Sequence, residues 1–219
     1  MTEENNATLK VMTFNSRSLR NKTIGVTGFL TENMCDVCFI TEAWLKLKDK
    51  SIIAEIKDMG YNIKFQPRKG KGGGGVCVLF KDDLDVQKSK IGSKYKSFEV
   101  MEVIIKSGSS FLRVATFYRT GHMTVQSRNA FTNELDDYLQ ILSQKKGECI
   151  LCGDFNIHVE HENMDKHAFY AITESYGYSQ LVTGSTHCDG GTLDLIFAMN
   201  ESKNHQRIAK TLFIYDLKH

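Results

Sequence analysis

Only one proline, Pro67, occurs in 219 residues, so a proline-rich stalk or linker is excluded. No apolar run approaches the roughly 18 residues that a membrane-spanning helix needs. The opening stretch MTEENNATLK is polar and partly acidic, unlike a signal peptide. Neither sign of charge is in excess. Lys and Arg total 28 against 26 Asp and Glu, a formal net charge of +2, so composition argues neither for nor against a polyanionic partner. No repeat or low-complexity tract divides the chain. These absences predict an intracellular protein, nuclear or cytoplasmic, with no membrane partner.

What is present suits one core. Hydrophobic residues make up 41% and charged residues 25%, an ordinary globular balance. The expectation is a polar, disordered segment over 1–7 and a single domain over 8–219. Six cysteines include two C-x-x-C pairs, Cys35/Cys38 and Cys149/Cys152, a spacing that zinc sites use. Both pairs lie in apolar, strand-like runs, where positions i and i+3 face opposite sides. Buried, reduced thiols are the expectation.

Hydrophobic periodicity mixes strands and helices. Strands are predicted over 8–15, 36–42, 61–66, 74–80, 84–90, 98–106, 111–119, 149–155, 192–198 and 207–215. Helices are predicted over 23–33, 51–60, 124–145 and 164–177, with Ser51 as an N-cap. Strict β-α-β-α alternation is absent, which argues for large mixed or antiparallel sheets with helices outside rather than a doubly wound sheet.

Several strands end in polar groups: Asn15, Glu42, the pair Tyr118 and Arg119, and Asp154 with Asn156. A strand must stop somewhere, and polar residues mark the stop. Asp194 is different, because it sits within the apolar run TLDLIF, where an unpaired carboxylate would cost several kcal/mol. If these ends converge, the chemistry is that of phosphodiester hydrolysis. Glu42 is a hard oxygen donor for Mg²⁺. Asp154 could align or deprotonate a water. Asn156 and Asn15 could donate to phosphate oxygens, and Tyr118 could stabilise charge on the phosphate.

The segments VMTFNSRSLRNK, FITEAWL, GGGGVCVLF, FYR, ILCGDFNIH and STHCDGGTLDLIF occur in the order and spacing of the endonuclease/exonuclease/phosphatase superfamily. Together they most resemble the apurinic-type endonuclease domains of non-LTR retrotransposons. Each motif is short, and six in order are specific. The resemblance implies a four-layered α/β sandwich, one catalytic Mg²⁺ (Mn²⁺ as the alternative) and cleavage of DNA. It further implies nicking of target DNA by a monomer, and it leaves open whether a reverse transcriptase belongs to the same polyprotein. Carried over by position, Glu42 holds the metal with support from Asn15, and Tyr118 faces the scissile phosphate. Asp154 activates the nucleophile, Asn156 binds phosphate and Asp194 orients a histidine. Arg17, Arg119, Thr186 and His187 are implied on the substrate side.

One departure is serious. The family closes its site with a Ser-Asp-His motif and a last strand, whereas this sequence ends at TLFIYDLKH, with Asp216 and His219 apart. A chain without the motif would lack the catalytic histidine and a core strand, and a silent fragment is then the alternative reading. A phosphatase of the same superfamily is a further alternative. Other features carry less. RKGKGGGGVCVLF leads into a strand and not a helix, so it is a hairpin rather than a phosphate loop, though Arg68, Lys69 and Lys71 could touch DNA phosphates. Arg17, Arg20 and Lys22 are either a solvated face or a backbone-binding edge. His158, His161 and His167 are expected to be surface histidines, not a zinc set.

Overall fold

The computed structural model describes residues 9–68, 70, 72–90, 94–107, 110–121, 124–147, 149–187, 190–199 and 211–214. The expectations for residues 1–7, Lys69, Lys71, Asp216 and His219 lie outside the described residues.

The first half contains β1 (Lys10–Asn15), α1 (Thr23–Glu32), β2 (Val37–Thr41), α2 (Lys50–Asp58), β3 (Tyr61–Gln66), β4 (Val76–Lys81) and β5 (Asp85–Lys88). The second half contains β6 (Glu99–Ser107), β7 (Ser110–Tyr118), α3 (Val125–Ser143), β8 (Cys149–Asp154), α4 (Met164–Ser175), β9 (Tyr178–Gln180), β10 (Asp194–Met199) and β11 (Thr211–Ile214). They form a five-stranded sheet, β11-β1-β2-β4-β3, and a six-stranded sheet, β5-β6-β7-β8-β10-β9. Both are mixed, with parallel pairs β1–β11, β1–β2 and β7–β8 among antiparallel neighbours.

The fold is the expected four-layered α/β sandwich. Val11, Val37, Phe39 and Val78 of the first sheet meet Met101, Val103, Val114, Cys152 and Ile196 of the second. The outer face of the first sheet, including Met12, Phe14 and Ile40, packs on Val26 and Leu30 of α1 and Ile56 of α2. The outer face of the second, including Phe117, Leu151 and Phe197, packs on Phe131 and Leu135 of α3 and Phe169 of α4. Central strands buried on both faces read as continuous apolar runs, which is why CFI and CILC carry so little polarity.

Three sequence expectations need correcting. Ser51 is inside α2 and not its cap; Asp49 holds the cap position without a side-chain cap bond. Its carboxylate instead accepts from the Lys46 amide and the Arg20 guanidinium. Strand β9, three residues long, is too short to show a period and was not predicted. Cys35 and Cys38 do not face opposite ways: Cys35 precedes β2, and both join the outer cluster under α1. Cys149 and Cys152 do split between the outer and inner clusters. The five described cysteines are free and buried. Among the described residues, no helix is long and apolar enough to cross a membrane.

Candidate active site

Strand register builds one half of the site. Glu99 of β6 is paired with Tyr118 of β7, Tyr118 with Asp154 of β8, and Asp154 with Asp194 of β10. Residues in one register row share a face, and here it is the face that also carries Met101, Cys152 and Ile196 between the sheets. Four polar side chains therefore line the end of the inner core. The first sheet supplies the other half. Asn15 ends β1, and Glu42 follows β2.

Asn15 links the halves. Its Nδ2 donates to Glu42 Oε1 and to Asp154 Oδ2, each at 2.8 Å. Its Oδ1 accepts from the Arg17 amide at 3.0 Å, and because a backbone N–H can only donate, the amide orientation is fixed. Asn15 thus turns a nitrogen toward the carboxylates. This amide bridges the two carboxylates, in keeping with the supporting place expected for it beside Glu42.

Asp154 is buried, and its second oxygen accepts from the Asn156 amide at 3.0 Å. Burial pushes its pKa from 3.8 up to about 6; the Asn15 and Asn156 bonds oppose this, and the nearby Glu42 charge adds to it. Tyr118 is raised as well, by burial first and then by Glu42. The Arg68 guanidinium lies 5.2 Å from the Tyr118 ring centroid and pairs with Glu99.

Two loops present Glu42. After β2 the backbone turns through positive φ at Glu42 (49°) and Trp44 (54°). The Ala43 and Trp44 amides donate to the carbonyls of Gly75 and Gly74, so the glycine-rich hairpin clamps the Glu42 loop. Trp44 Nε1 donates to Glu42 Oε2 at 3.2 Å. Among the described residues six non-glycines have positive φ, and five of them, Arg17, Ser18, Glu42, Trp44 and Asn156, lie in these rim segments. Such conformations cost of order 1–3 kcal/mol each and persist where the surroundings impose them, as at functional sites.

The remaining candidates separate. Thr186 is buried, and its Oγ1 accepts from the Leu193 and Asp194 amides at 2.9 and 3.0 Å, fixing the start of β10. Arg17 Nη2 lies 3.1 Å from His187 Nε2, so the two side chains meet at the surface. Arg20 is tied to Asp49 and the Trp44 carbonyl, and Lys22 to the Ser16 carbonyl. Arg119 is not at the rim. It follows Tyr118 and so turns to the opposite face, where its guanidinium lies 4.5 Å from the Phe131 ring centroid and donates to the Phe155 carbonyl at 3.2 Å. It lines a cavity of about 290 Å³ between α3 and α4, on the helix side of the second sheet. The structure thus sets Arg119 apart from the rim residues with which the sequence grouped it. Trp44 and Glu99 complete the rim without having been singled out, and Arg68, considered only as a DNA-phosphate contact, joins them through its pairing with Glu99.

The donors facing the rim are hard oxygens. Two carboxylates share one amide donor, and one of them is held above its ordinary pKa partly by the other. A dication would relieve that repulsion, so the residues fit Mg²⁺.

The pattern of the endonuclease/exonuclease/phosphatase family matches residues 12–208. No curated protein matches the chain. Among solved structures, the fold is similar to that of an AP endonuclease from Archaeoglobus fulgidus, at 19% identity and TM-score 0.64, covering 87% of this chain and 86% of that one. It is similar to the endonuclease domain of TRAS1, a telomere-specific non-LTR retrotransposon, at 14% identity and TM-score 0.67, covering 88% and 85%. It is also similar to the 3′ phosphatase NExo from Neisseria bound to a product DNA hairpin, at 18% identity and TM-score 0.62, covering 88% and 87%.

Proposed function

The chain belongs to the endonuclease/exonuclease/phosphatase family, and from that premise we propose that it is a Mg²⁺-dependent phosphodiesterase that nicks DNA, in the service of retrotransposition. The observation that carries the reading is the Asn15 amide held between Glu42 and Asp154 at 2.8 Å, beside Tyr118. Glu42 would hold the metal, with Asp154 facing the same amide. When bound, Mg²⁺ would neutralise phosphate charge and favour the leaving oxygen.

The chain's own residues supply the rest. Ionised Asp154 accepts a proton from the attacking water and aligns it. Asn15 and the Asn156 amide hold that carboxylate in one orientation. Asn156 is held in turn, because its side-chain nitrogen donates to the Arg119 carbonyl at 2.5 Å. The Tyr118 phenol, kept protonated by its raised pKa, donates to the phosphate. Asp194 lies beside Asp154 in register, and it would orient a histidine of the family's Ser-Asp-His motif. Arg17 and His187 supply a polar edge for a phosphate backbone.

The test is nicking of supercoiled plasmid with Mg²⁺, run beside inositol phosphates and 3′-phosphorylated DNA. The 219-residue chain is assayed alone and with a Ser-Asp-His segment appended, and Asp154→Ala serves as control. Nicking that requires Mg²⁺ and Asp154 supports the reading. Inorganic phosphate released while plasmid stays intact would overturn it in favour of a phosphatase.

A further inference from the structure

We propose a second metal site, a Zn²⁺ site formed by His158, Glu160 and His161 in the loop between β8 and α4. It is separate from the carboxylate rim and does not depend on the proposed nuclease reading. One ligand atom from each of the three side chains lies within 4.8 Å of the others. His158 Nδ1 is 2.7 Å from Glu160 Oε1, and His161 Nε2 is 3.7 Å from the same oxygen. Zinc–nitrogen and zinc–oxygen bonds of about 2.0–2.1 Å at tetrahedral angles put neighbouring ligand atoms about 3.3 Å apart. The first pair must open by roughly 0.6 Å and the second close by roughly 0.4 Å to meet that spacing, and the two histidine ligand atoms, within 4.8 Å of each other, close by at most about 1.5 Å. Two imidazoles and one carboxylate, with a fourth position left to water, is a donor set that suits zinc.

The loop is built to hold these groups. Glu160 uses its other oxygen, Oε2, to accept from the Thr192 amide at 2.9 Å, leaving Oε1 toward the histidines. Hydrogen bonds of this kind orient metal ligands. Asn163, the N-cap of α4, donates to the carbonyls of both His158 and His161, at 3.1 and 3.2 Å, and accepts from the Lys166 amide. A Cβ at Gly191 would lie 3.3 Å from both Glu160 Oε1 and His158 Nδ1, so glycine leaves room at the ligand atoms. His167 is not part of the group; it pairs with Glu162. The metal would tie the loop that leaves Asn156 to the turn that leads into Asp194.

Zn²⁺ alone is the probe, measured by equilibrium dialysis and by thermal melting of the full chain. A Glu42→Gln/Asp154→Asn variant removes binding at the rim and is expected to keep one equivalent of Zn²⁺. His158→Ala/His161→Ala is expected to lose that equivalent, weakening binding by more than about tenfold. It should melt like the parent without metal, because both side chains are exposed, and should lack the parent's Zn²⁺-dependent rise in Tm. Co²⁺ substitution should give visible bands without a thiolate charge-transfer band. Zn²⁺ retained by the histidine variant, an equal rise in its Tm, no bound equivalent in the parent, or a thiolate band would each overturn the assignment.

Discussion

The Asn15 amide nitrogen donates to Asp154 Oδ2 at 2.8 Å, joining residues 139 positions apart and the ends of two different sheets. The same nitrogen donates to Glu42. A single neutral donor thus sits between two acids that would otherwise repel. It fixes the spacing of the rim across the sandwich, where no strand pairing can.

Removing that donor should show in stability before it shows anywhere else. Asn15→Ala leaves two carboxylates facing each other with one fewer donor. A hydrogen bond to a charged group contributes about 1.5–3 kcal/mol, and the variant should lose about that much at pH 7. At pH 5 the loss should shrink, because Asp154, with its pKa near 6, is then mostly protonated. Urea midpoints at the two pH values measure this. An equal loss at both would mean that the amide does not act on the charge.

Asp154 itself predicts a pH profile. Its pKa is raised from 3.8 to about 6 when folded. Below about pH 4 it is protonated in both folded and unfolded chains, and it does not affect stability. Between about pH 4 and 6 the unfolded chain releases the proton first, so stability falls as pH rises. The full loss, about 3 kcal/mol, is reached above about pH 6. Asp154→Asn should lack this fall, so the difference in unfolding free energy between variant and parent should grow across that window. Nicking should move oppositely, rising through the pKa as the carboxylate ionises. Mg²⁺ should shift both midpoints downward, and EDTA should restore them. In the variant, nicking should drop about 10²- to 10⁴-fold.

Much of this was legible because the sandwich is simple to read. Its central strands are mostly apolar on both faces, so the first amide or carboxylate after each apolar run marks the rim: Asn15, Glu42 and Asp154 each stand at such a break. Asp194 was legible for the opposite reason, as a carboxylate inside an apolar run. Glu99 was not, since a glutamate opening a half-polar strand looks solvated until register sets it beside Tyr118. Trp44 and Arg68 act through loop geometry that only the positive-φ turn and the glycine hairpin create. That Arg119 faces away from Tyr118 was not legible, because a motif groups neighbours that a strand turns apart. The histidines His158, His161 and His167 are exposed, as the sequence suggested, while the placing of Glu160 beside His158 and His161 was not legible, because only the fold of the loop brings it there.

Gly153 lies where β7 and β8 come closest to the rim. Its φ is +128°, and a Cβ there would sit 2.1 Å from the Phe117 carbonyl oxygen. A methyl group must therefore push the parallel strands apart one residue before Asp154. Gly153→Ala should destabilise by more than about 3 kcal/mol, combining strain with a broken strand pair. Chemical denaturation would measure it. A loss below 1 kcal/mol would mean that the strands can separate locally.

Arg17 and Arg119 should behave oppositely toward DNA, although each is an arginine in a site motif. Arg17 lies at the surface next to His187, and Arg119 is buried against Phe131, with its guanidinium donating to the carbonyl after Asp154. A phosphate contact releases counterions, so losing one should lower the slope of log affinity against log salt by about 0.9. Arg17→Ala should weaken DNA binding and reduce the slope by about that amount, with little change in stability. Arg119→Met should leave the slope unchanged. It should instead destabilise the fold by about 1–3 kcal/mol, as buried carbonyls lose their donor, and slow nicking by loosening Asn156. Binding titrations over a salt series, with a melting curve for each variant, separate the two. A reduced slope for Arg119→Met would return that residue to the DNA interface.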